Sequence, residues 1–355
     1  MNGELLVNCF SSACVASRPV TRMMLSLLLA LSSTASFDEW KRRHGVAYAS
    51  RAEETARRIA FDANVAAVEE RALGWESAME SPFADQTPDE FNVRNGYLAA
   101  LRTSSRATSE HTVSGRTLPD AMDWRDHGLV TAVKNQGACG ACWAFSTIAS
   151  IEGQHAKAVG NLTSLSEENV IDCVKGVRRP GHLPCCHGCK GGLMDDAFYY
   201  LTHNESGGVD TELAYPYSKL HPPSGLKCTF KRTGVGATIG GYVDVPAGNE
   251  SALLDAVATV GPISVAVDAG IGWQLYHRGI LHPRLCSSKP GRMNHAVTVV
   301  GYGTDHGTDY WIIKNSYGAH YGEHGYVRLL RGKNACGVAN AASYPNDIRL
   351  VEERV

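Results

Sequence analysis

Four side chains of this chain are of the types, and in the settings, that nucleophilic acyl transfer needs. Cys142 stands in the run Asn135-Gln136-Gly137-Ala138-Cys139-Gly140-Ala141-Cys142-Trp143-Ala144-Phe145-Ser146. Glycines on both sides of Cys139 let the backbone turn sharply and leave room for a substrate. Cys142 then falls in the first turn of a predicted helix, where unpaired N–H groups and the positive end of the helix dipole favour a thiolate. Gln136 offers an amide donor for a developing oxyanion. A thiolate nucleophile needs a group that takes and returns protons, and His295, at the head of the apolar run Ala296-Val297-Thr298-Val299-Val300, is the leading candidate. Asn315 ends the next β-type run and could fix the imidazole's tautomer and orientation.

The elements that must position these groups follow from pattern. Ala141 to Ala156 and Leu193 to Leu201 read as helices. Ile263 to Val267, Ala296 to Val300, Tyr310 to Lys314 and Gly325 to Leu329 read as strands. Helices first and strands later predict an α+β protein whose halves pack together. Upstream, Phe37 to about Glu90 is charged, alanine-rich and free of cysteine. Within it Arg51 to Arg71 predicts an amphipathic helix carrying Ile59, Phe61, Val65 and Val68. Ala99 to Ser114, rich in Ser, Thr, Arg and His, reads as an exposed, protease-sensitive linker.

Composition sets the compartment and class. The 355 residues suit about two domains. With 44% hydrophobic residues a large core is available, and a formal net charge of -2 gives no reason to expect nucleic acid as a partner. Nine of the 11 cysteines follow Leu118, a usage that suits an oxidising compartment. Arg22, the apolar run Met23 to Leu31 and the small residues Ser32 to Ser36 fit a cleavable secretory signal, with translation starting at Met1, Met23 or Met24. A short uncleaved anchor is the alternative.

On these motifs the chain resembles the papain-like cysteine proteases, its mature part closest to the cathepsin L branch. Cys139-Gly140-Ala141-Cys142-Trp143 matches the family's nucleophile signature, with His295 and Asn315 downstream in the expected order. The resemblance runs from about Asp123 to Pro345. It implies a two-lobed α+β fold, one lobe helical and one β-barrel-like, with the cleft between them, preceded by a helical inhibitory pro-region. The implied divisions are a leader over 1–35, a propeptide and linker over 36–117, a peptidase domain over 118–345 and a tail over 346–355.

The same resemblance implies roles. Cys142 is the nucleophile, His295 the acid/base, Asn315 its orienter and Gln136 an oxyanion donor. Gly192 would hold the substrate backbone. Leu193, Met194, Ala266, Met293 and Ala341 would line the pocket for P2, the second residue before the cleaved bond. All five are uncharged, which predicts Leu or Phe there over Arg. Glu53, Arg57, Phe61, Asn64 and Val68 follow the spacing of the propeptide's helical motif. A second motif survives as Phe83-Ala84-Asp85, with Met79 and Ser81 at altered positions. Bridges Cys139–Cys189, Cys173–Cys228 and Cys286–Cys336 are implied. The implied product is a monomeric zymogen of a secreted or lysosomal/vacuolar endopeptidase, cut near Ser114 to Leu118 once acid releases the propeptide. It would act on proteins and peptides, with no cofactor and no metal.

Departures from the family leave alternatives. Tyr317 and Tyr321 stand where Trp is usual, and Tyr317, beside the substrate, would shield the Asn–His bond with a smaller, hydroxylated ring. Cys185 and Cys186, in the long stretch Gly176 to His187, form either a vicinal bridge or part of an exchange with Cys189. Zinc at Cys185-Cys186-His187-x-Cys189 with His182 lacks the paired spacing of formed zinc sites. Asn161, Asn204 and Asn249 begin glycosylation sequons. A catalytically silent homologue and an exopeptidase are the rival functions.

Overall fold

The helix Cys142–Val159 is buried along most of its length, its apolar and small residues accompanied by buried Glu152, Gln154 and His155. A Cβ on Gly153 would lie 2.5 Å from the Pro262 ring, so the glycine permits close packing, and Gly160, at φ 76°, ends the helix in the left-handed region. Ser146 Oγ donates to the Val297 carbonyl at 2.7 Å, and Ser264 Oγ donates to that of Ser146 at 2.8 Å. These bonds tie the helix to the sheet. The protein was analysed as a computed structural model, which describes residues 37–70, 80–102, 107–178, 183–203, 208–218 and 225–348. The leader, Met79, His182, Asn204 and the tail beyond Ile348 lie outside the described residues.

The main sheet joins β1 (Ser109–Glu110), β5 (Gly241–Val245), β11 (Ala342–Asn346), β6 (Ile263–Val267), β8 (His295–Asp305), β9 (Thr308–Lys314), β10 (Tyr326–Leu330) and β7 (Ile280–Leu281) in that order, with β2 (Met122–Asp123) also on β8. A separate pair is β3 (Gly208–Asp210) with β4 (Val235–Thr238). β6 and the first nine residues of β8 are buried on both faces, so they read as near-continuous apolar runs. Along them alternate residues serve two cores. Val265, Val267, Val297 and Val299 join Trp311, Ile313 and Val327, whereas Ala266 and Ala296 join Trp143, Ile148, Ile151 and Phe198. This is an α+β fold. Among the described residues no helix is long and apolar enough to cross a membrane.

Disulfides join Cys139 to Cys189, Cys173 to Cys228 and Cys286 to Cys336. Cys185 and Cys186 are unbridged, buried thiols in hydrogen-bond contact at 2.8 Å. With Cys189 taken by Cys139, no group of three or more His, Cys, Asp or Glu among the described residues is disposed to hold a metal. Asn161 is exposed, while Asn249 caps the helix Glu250–Thr259 through Ala252 N–H.

The pro-region is built on the helix Arg51–Glu70. A first compact unit ends at Glu54, and within it Phe37 stacks on Trp40 and Tyr48. Glu53 accepts from Ala49 N–H at 3.0 Å. In the second unit, Phe61, Asn64 and Val68 form the buried face, while Ile59 is 65% exposed. Ile59 therefore does not belong to the apolar face expected of it: it lies off the stripe of residues three and four apart. Asn64 Nδ2 donates to the Ala84 and Gln86 carbonyls at 2.7 and 2.8 Å, and Arg57 pairs with Glu90 at 2.8 Å.

The linker is not uniformly exposed. β1 runs parallel to β5, and His111 is buried with Nε2 2.9 Å from Asp255 and Nδ1 2.9 Å from the Tyr344 hydroxyl. Ser114 Oγ also donates to Asp255, at 2.6 Å. A polar composition looks solvent-bound, yet here the buried polar groups of His111 and Ser114 are paired. Replacing His111 by Ala removes one partner of that buried carboxylate, a loss of about 1–3 kcal/mol. Limited proteolysis between Ser109 and Leu118 is expected to accelerate in that variant; an unchanged rate would mean that the strap is held elsewhere.

Candidate active site

Cys142 opens its helix without a side-chain cap, so the N–H groups of the first turn stay available. The backbone N–H groups of Ala296, Gly96 and Trp143 face its sulfur, which places the thiol beside the first residues of β8. His295 heads that strand, and its Nε2 lies 2.8 Å from Asn315 Oδ1. With Oδ1 accepting, Nε2 carries the proton and Nδ1 keeps its lone pair; Nδ1 has no hydrogen-bond partner among the described residues. Tyr317 stacks on the imidazole with centroids 4.8 Å apart and planes 25° apart, and Trp273 meets it edge-on.

Gln136 is held from both ends. Its side-chain oxygen accepts from Ser316 Oγ at 2.5 Å, and its backbone N–H donates to the Ser316 carbonyl at 2.9 Å. Its Nε2 thereby points to two carbonyls, Cys139 at 2.6 Å and Arg94 of the pro-region at 2.7 Å. Gly192 is confined by the Trp143 indole, which a Cβ would approach to 2.5 Å. Leu193, Met194, Ala266, Met293 and Ala341 all belong to the helical core cluster.

The pro-region passes directly over these groups. Gly96 N–H donates to Cys142 Sγ at 3.2 Å, and the Gly96 carbonyl accepts from Gly192 N–H at 2.9 Å. Tyr97 N–H donates to the Asn294 carbonyl at 2.8 Å, and Leu98 N–H to that of Gly192 at 3.3 Å. The Tyr317 hydroxyl donates to Asn95 Oδ1 at 2.6 Å, while its ring meets Phe83 and Phe91 edge-on. Ser81 and Gln274 fasten the next stretch through Ser81 Oγ to the Gln274 carbonyl at 2.6 Å and Gln274 Nε2 to the Phe83 carbonyl at 3.0 Å.

Burial under this segment changes both titratable groups. It pushes the Cys142 thiol up to about 11, against the pull of the facing N–H groups. It pushes His295 down to about 4, against its bond to Asn315. At neutral pH both covered groups are uncharged, Cys142 as a thiol and His295 as an imidazole.

Comparison with known proteins settles the class. A model of the papain family cysteine proteases matches residues 118–346. The chain belongs to that family. A model of the cathepsin propeptide inhibitor domain matches residues 37–91 of the same protease. The protease is 48% identical over 271 residues to a cathepsin L-like protein of Caenorhabditis elegans, covering 74% of this chain and 75% of that one. It is 39% identical to cathepsin L1 of Drosophila melanogaster, covering 93% and 92%. Among solved structures it resembles digestive procathepsin L 3 of Tenebrio molitor larval midgut, with TM-score 0.72, 39% identity and coverage of 88% and 98%. The protease is thus a peptide hydrolase made as a zymogen.

Sequence reasoning missed Ser316, which aims the Gln136 amide, and the inhibitory stretch Asn95-Gly96-Tyr97. Ser316 carries no signal beyond its place next to Asn315. The Asn-Gly pair is a turn signal that points to a loop, not to a thiol.

Proposed function

We propose that the protease is an endopeptidase of the secretory route, lysosomal/vacuolar or extracellular, working through Cys142, His295 and Asn315 with a preference for Leu or Phe at P2. The seating of Gly96 carries this reading: a pro-region backbone lies hydrogen-bonded across Cys142, with Arg94 at Gln136 on one side and Leu98 at Gly192 on the other. A polypeptide with residues on both sides of the scissile bond fits such a cleft, which favours internal cleavage over trimming of chain ends. Three disulfides support an oxidising compartment.

The chemistry follows from the positions. Once the cleft is open, the Cys142 thiol passes its proton to His295 Nδ1 and the resulting thiolate attacks the scissile carbonyl, while the oxyanion takes N–H donors from Gln136 and the Cys142 backbone. His295 gives its proton to the leaving amine, then draws one from water, which hydrolyses the thioester. Asn315 keeps Nδ1 directed at the reaction throughout.

Acid favours opening of the cleft. Covered, His295 titrates at about 4; uncovered, it regains its ordinary value near 6.5. Between these values the open form binds the extra proton, so acidification through this window favours release, by up to roughly 3 kcal/mol below it. Above pH ~6.5 His295 is neutral in both forms and gives no drive. Cys142 keeps its proton in the covered form throughout.

The test is a pH series on the full-length zymogen under reducing conditions, alongside Cys142→Ala. Processing near Ser114 to Leu118 and hydrolysis of an end-blocked Leu- or Phe-P2 peptide are expected to switch on as pH falls from ~6.5 towards ~4, and both to fail in the variant. A folded protein that stays silent after an added protease has removed the pro-region would refute the catalytic reading.

A further inference from the structure

We propose that Cys185 and Cys186 are a reversible dithiol–disulfide couple, oxidised by small-molecule disulfides, whose state is linked to occupation of the backbone edge at Gly192. The acyl-transfer chemistry uses neither thiol.

Among the described residues the free thiols are Cys142, Cys185 and Cys186. The two neighbours are 1% and 0% exposed, and their sulfurs lie 2.8 Å apart, already inside van der Waals contact. Their backbone is held on both strands of a short turn. Cys185 exchanges its N–H and its carbonyl with Val177, each at 2.9 Å, and the Cys186 carbonyl accepts from Gly176 N–H at 3.0 Å. Cys186 stands at φ 73°, in the left-handed region that a cysteine rarely adopts. Such a conformation persists only where the surroundings enforce it, and it recurs at switch segments.

A bridge here differs in kind from the other three. Those join residues 50, 55 and 50 positions apart. Adjacent residues across a trans peptide have Cα atoms about 3.8 Å apart, short of the roughly 4.4–6.8 Å that disulfides favour. Ring closure therefore strains the chain, and a strained bridge is readily reduced. It switches where the long-loop bridges staple.

Cys185 is fixed to Val177 at both backbone groups, so the adjustment falls downstream. There His187 N–H donates to the Gly191 carbonyl at 2.8 Å, and Gly188, Gly191 and Gly192 give the loop its freedom. This loop faces the nucleophile. Trp143 Nε1 donates to the Gly188 carbonyl at 3.2 Å, and in the zymogen Gly192 is bonded to Gly96 and Leu98. A chain seated on Gly192 holds the loop in its dithiol shape, and linkage requires the bridge to weaken that chain's hold by the same factor.

The step balances. A thiolate of the pair attacks one sulfur of a disulfide such as oxidised glutathione and releases a glutathione thiol. The second cysteine gives up its proton, attacks the cysteine sulfur of the mixed disulfide and expels the other glutathione. The protein loses two protons and two electrons, and the small disulfide becomes two thiols.

The experiment uses Cys142→Ala zymogen and the same protein matured with an added protease. Both are equilibrated in graded glutathione buffers from the reduced and the oxidised side, quenched with acid, alkylated and read by peptide mass. A Cys185–Cys186 bridge is expected to form and reverse within the series while the other three bridges persist. The zymogen should need a ratio of oxidised glutathione to reduced glutathione squared about 10-fold higher than the mature protein for half conversion. Cys185→Ser and Cys186→Ser should each form no such bridge, and either control suffices if the other fails to fold. Thiols that stay alkylatable throughout, a bridge that no buffer reduces, or a bridge to Cys189 overturns the couple. Equal midpoints in zymogen and mature protein overturn its link to Gly192.

Discussion

Matured with an added protease, Cys142→Ala or His295→Ala is expected to hydrolyse a blocked Leu- or Phe-P2 peptide on the order of 10⁴-fold or more below the unmodified protease. Alanine at 142 removes the atom that forms the acyl-enzyme. Alanine at 295 leaves a thiol with no base and a leaving amine with no acid. The two losses concern one unit, so the double variant should be little worse than either single one. Asn315→Ala is expected to cost less, roughly 10²-fold, because the imidazole survives but loses the 2.8 Å bond that fixes its tautomer and is left with the Tyr317 stack for orientation. Steady-state kinetics on the four variants and the unmodified protease, with circular dichroism to show that each is folded, decides the matter. A Cys142→Ala protein that retained more than about 1% of activity would exclude it as the nucleophile.

The second large effect concerns inhibition. A methyl group on Gly96 would lie 1.8 Å from the Gly140 carbonyl oxygen and 2.5 Å from its carbon. Both neighbours are backbone, and Gly140 is itself pressed against the Cys189 carbonyl, where a Cβ would come to 2.5 Å. Neither side can yield, so the segment must lift and lose its bonds to Cys142 Sγ and Gly192. Strain of this kind costs about 1–3 kcal/mol. Gly96→Ala zymogen is therefore expected to process itself at a pH where the unmodified zymogen is silent, with inhibition weakened up to ~100-fold. The mature enzymes from the two zymogens have the same sequence, so equal mature kinetics provide the control. An unchanged processing profile would show that Gly96 does not hold the cleft shut.

What the sequence disclosed was local or periodic. The run around Cys142 is contiguous and lies on a helix whose apolar content is unmistakable, and His295 and Asn315 sit at the ends of runs that the sheet makes adjacent. Strand limits were less legible: β8 extends to Asp305, past the point where the apolar run stops, because its final residues pair with β9 across a turn. Contacts between residues far apart in the chain left no trace. The Tyr317 hydroxyl meets Asn95, and its ring packs on Phe83 and Phe91, so a residue that looks like a weakened shield is also part of the seat for the inhibitory segment. Likewise the polar linker concealed the buried His111–Asp255 pair.

One feature of the sheet changes when the strap leaves. In the zymogen, Thr108 N–H donates to the Tyr242 carbonyl at 2.9 Å and His111 N–H to that of Asp244 at 2.7 Å, flanking the short parallel pairing of β1 with β5. Cleavage at the proposed site beyond β1 would turn β5 from an interior strand into a border strand, and these carbonyls would exchange their partners for water. Bared sheet borders are templates for strand addition. This one is short, which limits pairing between mature copies.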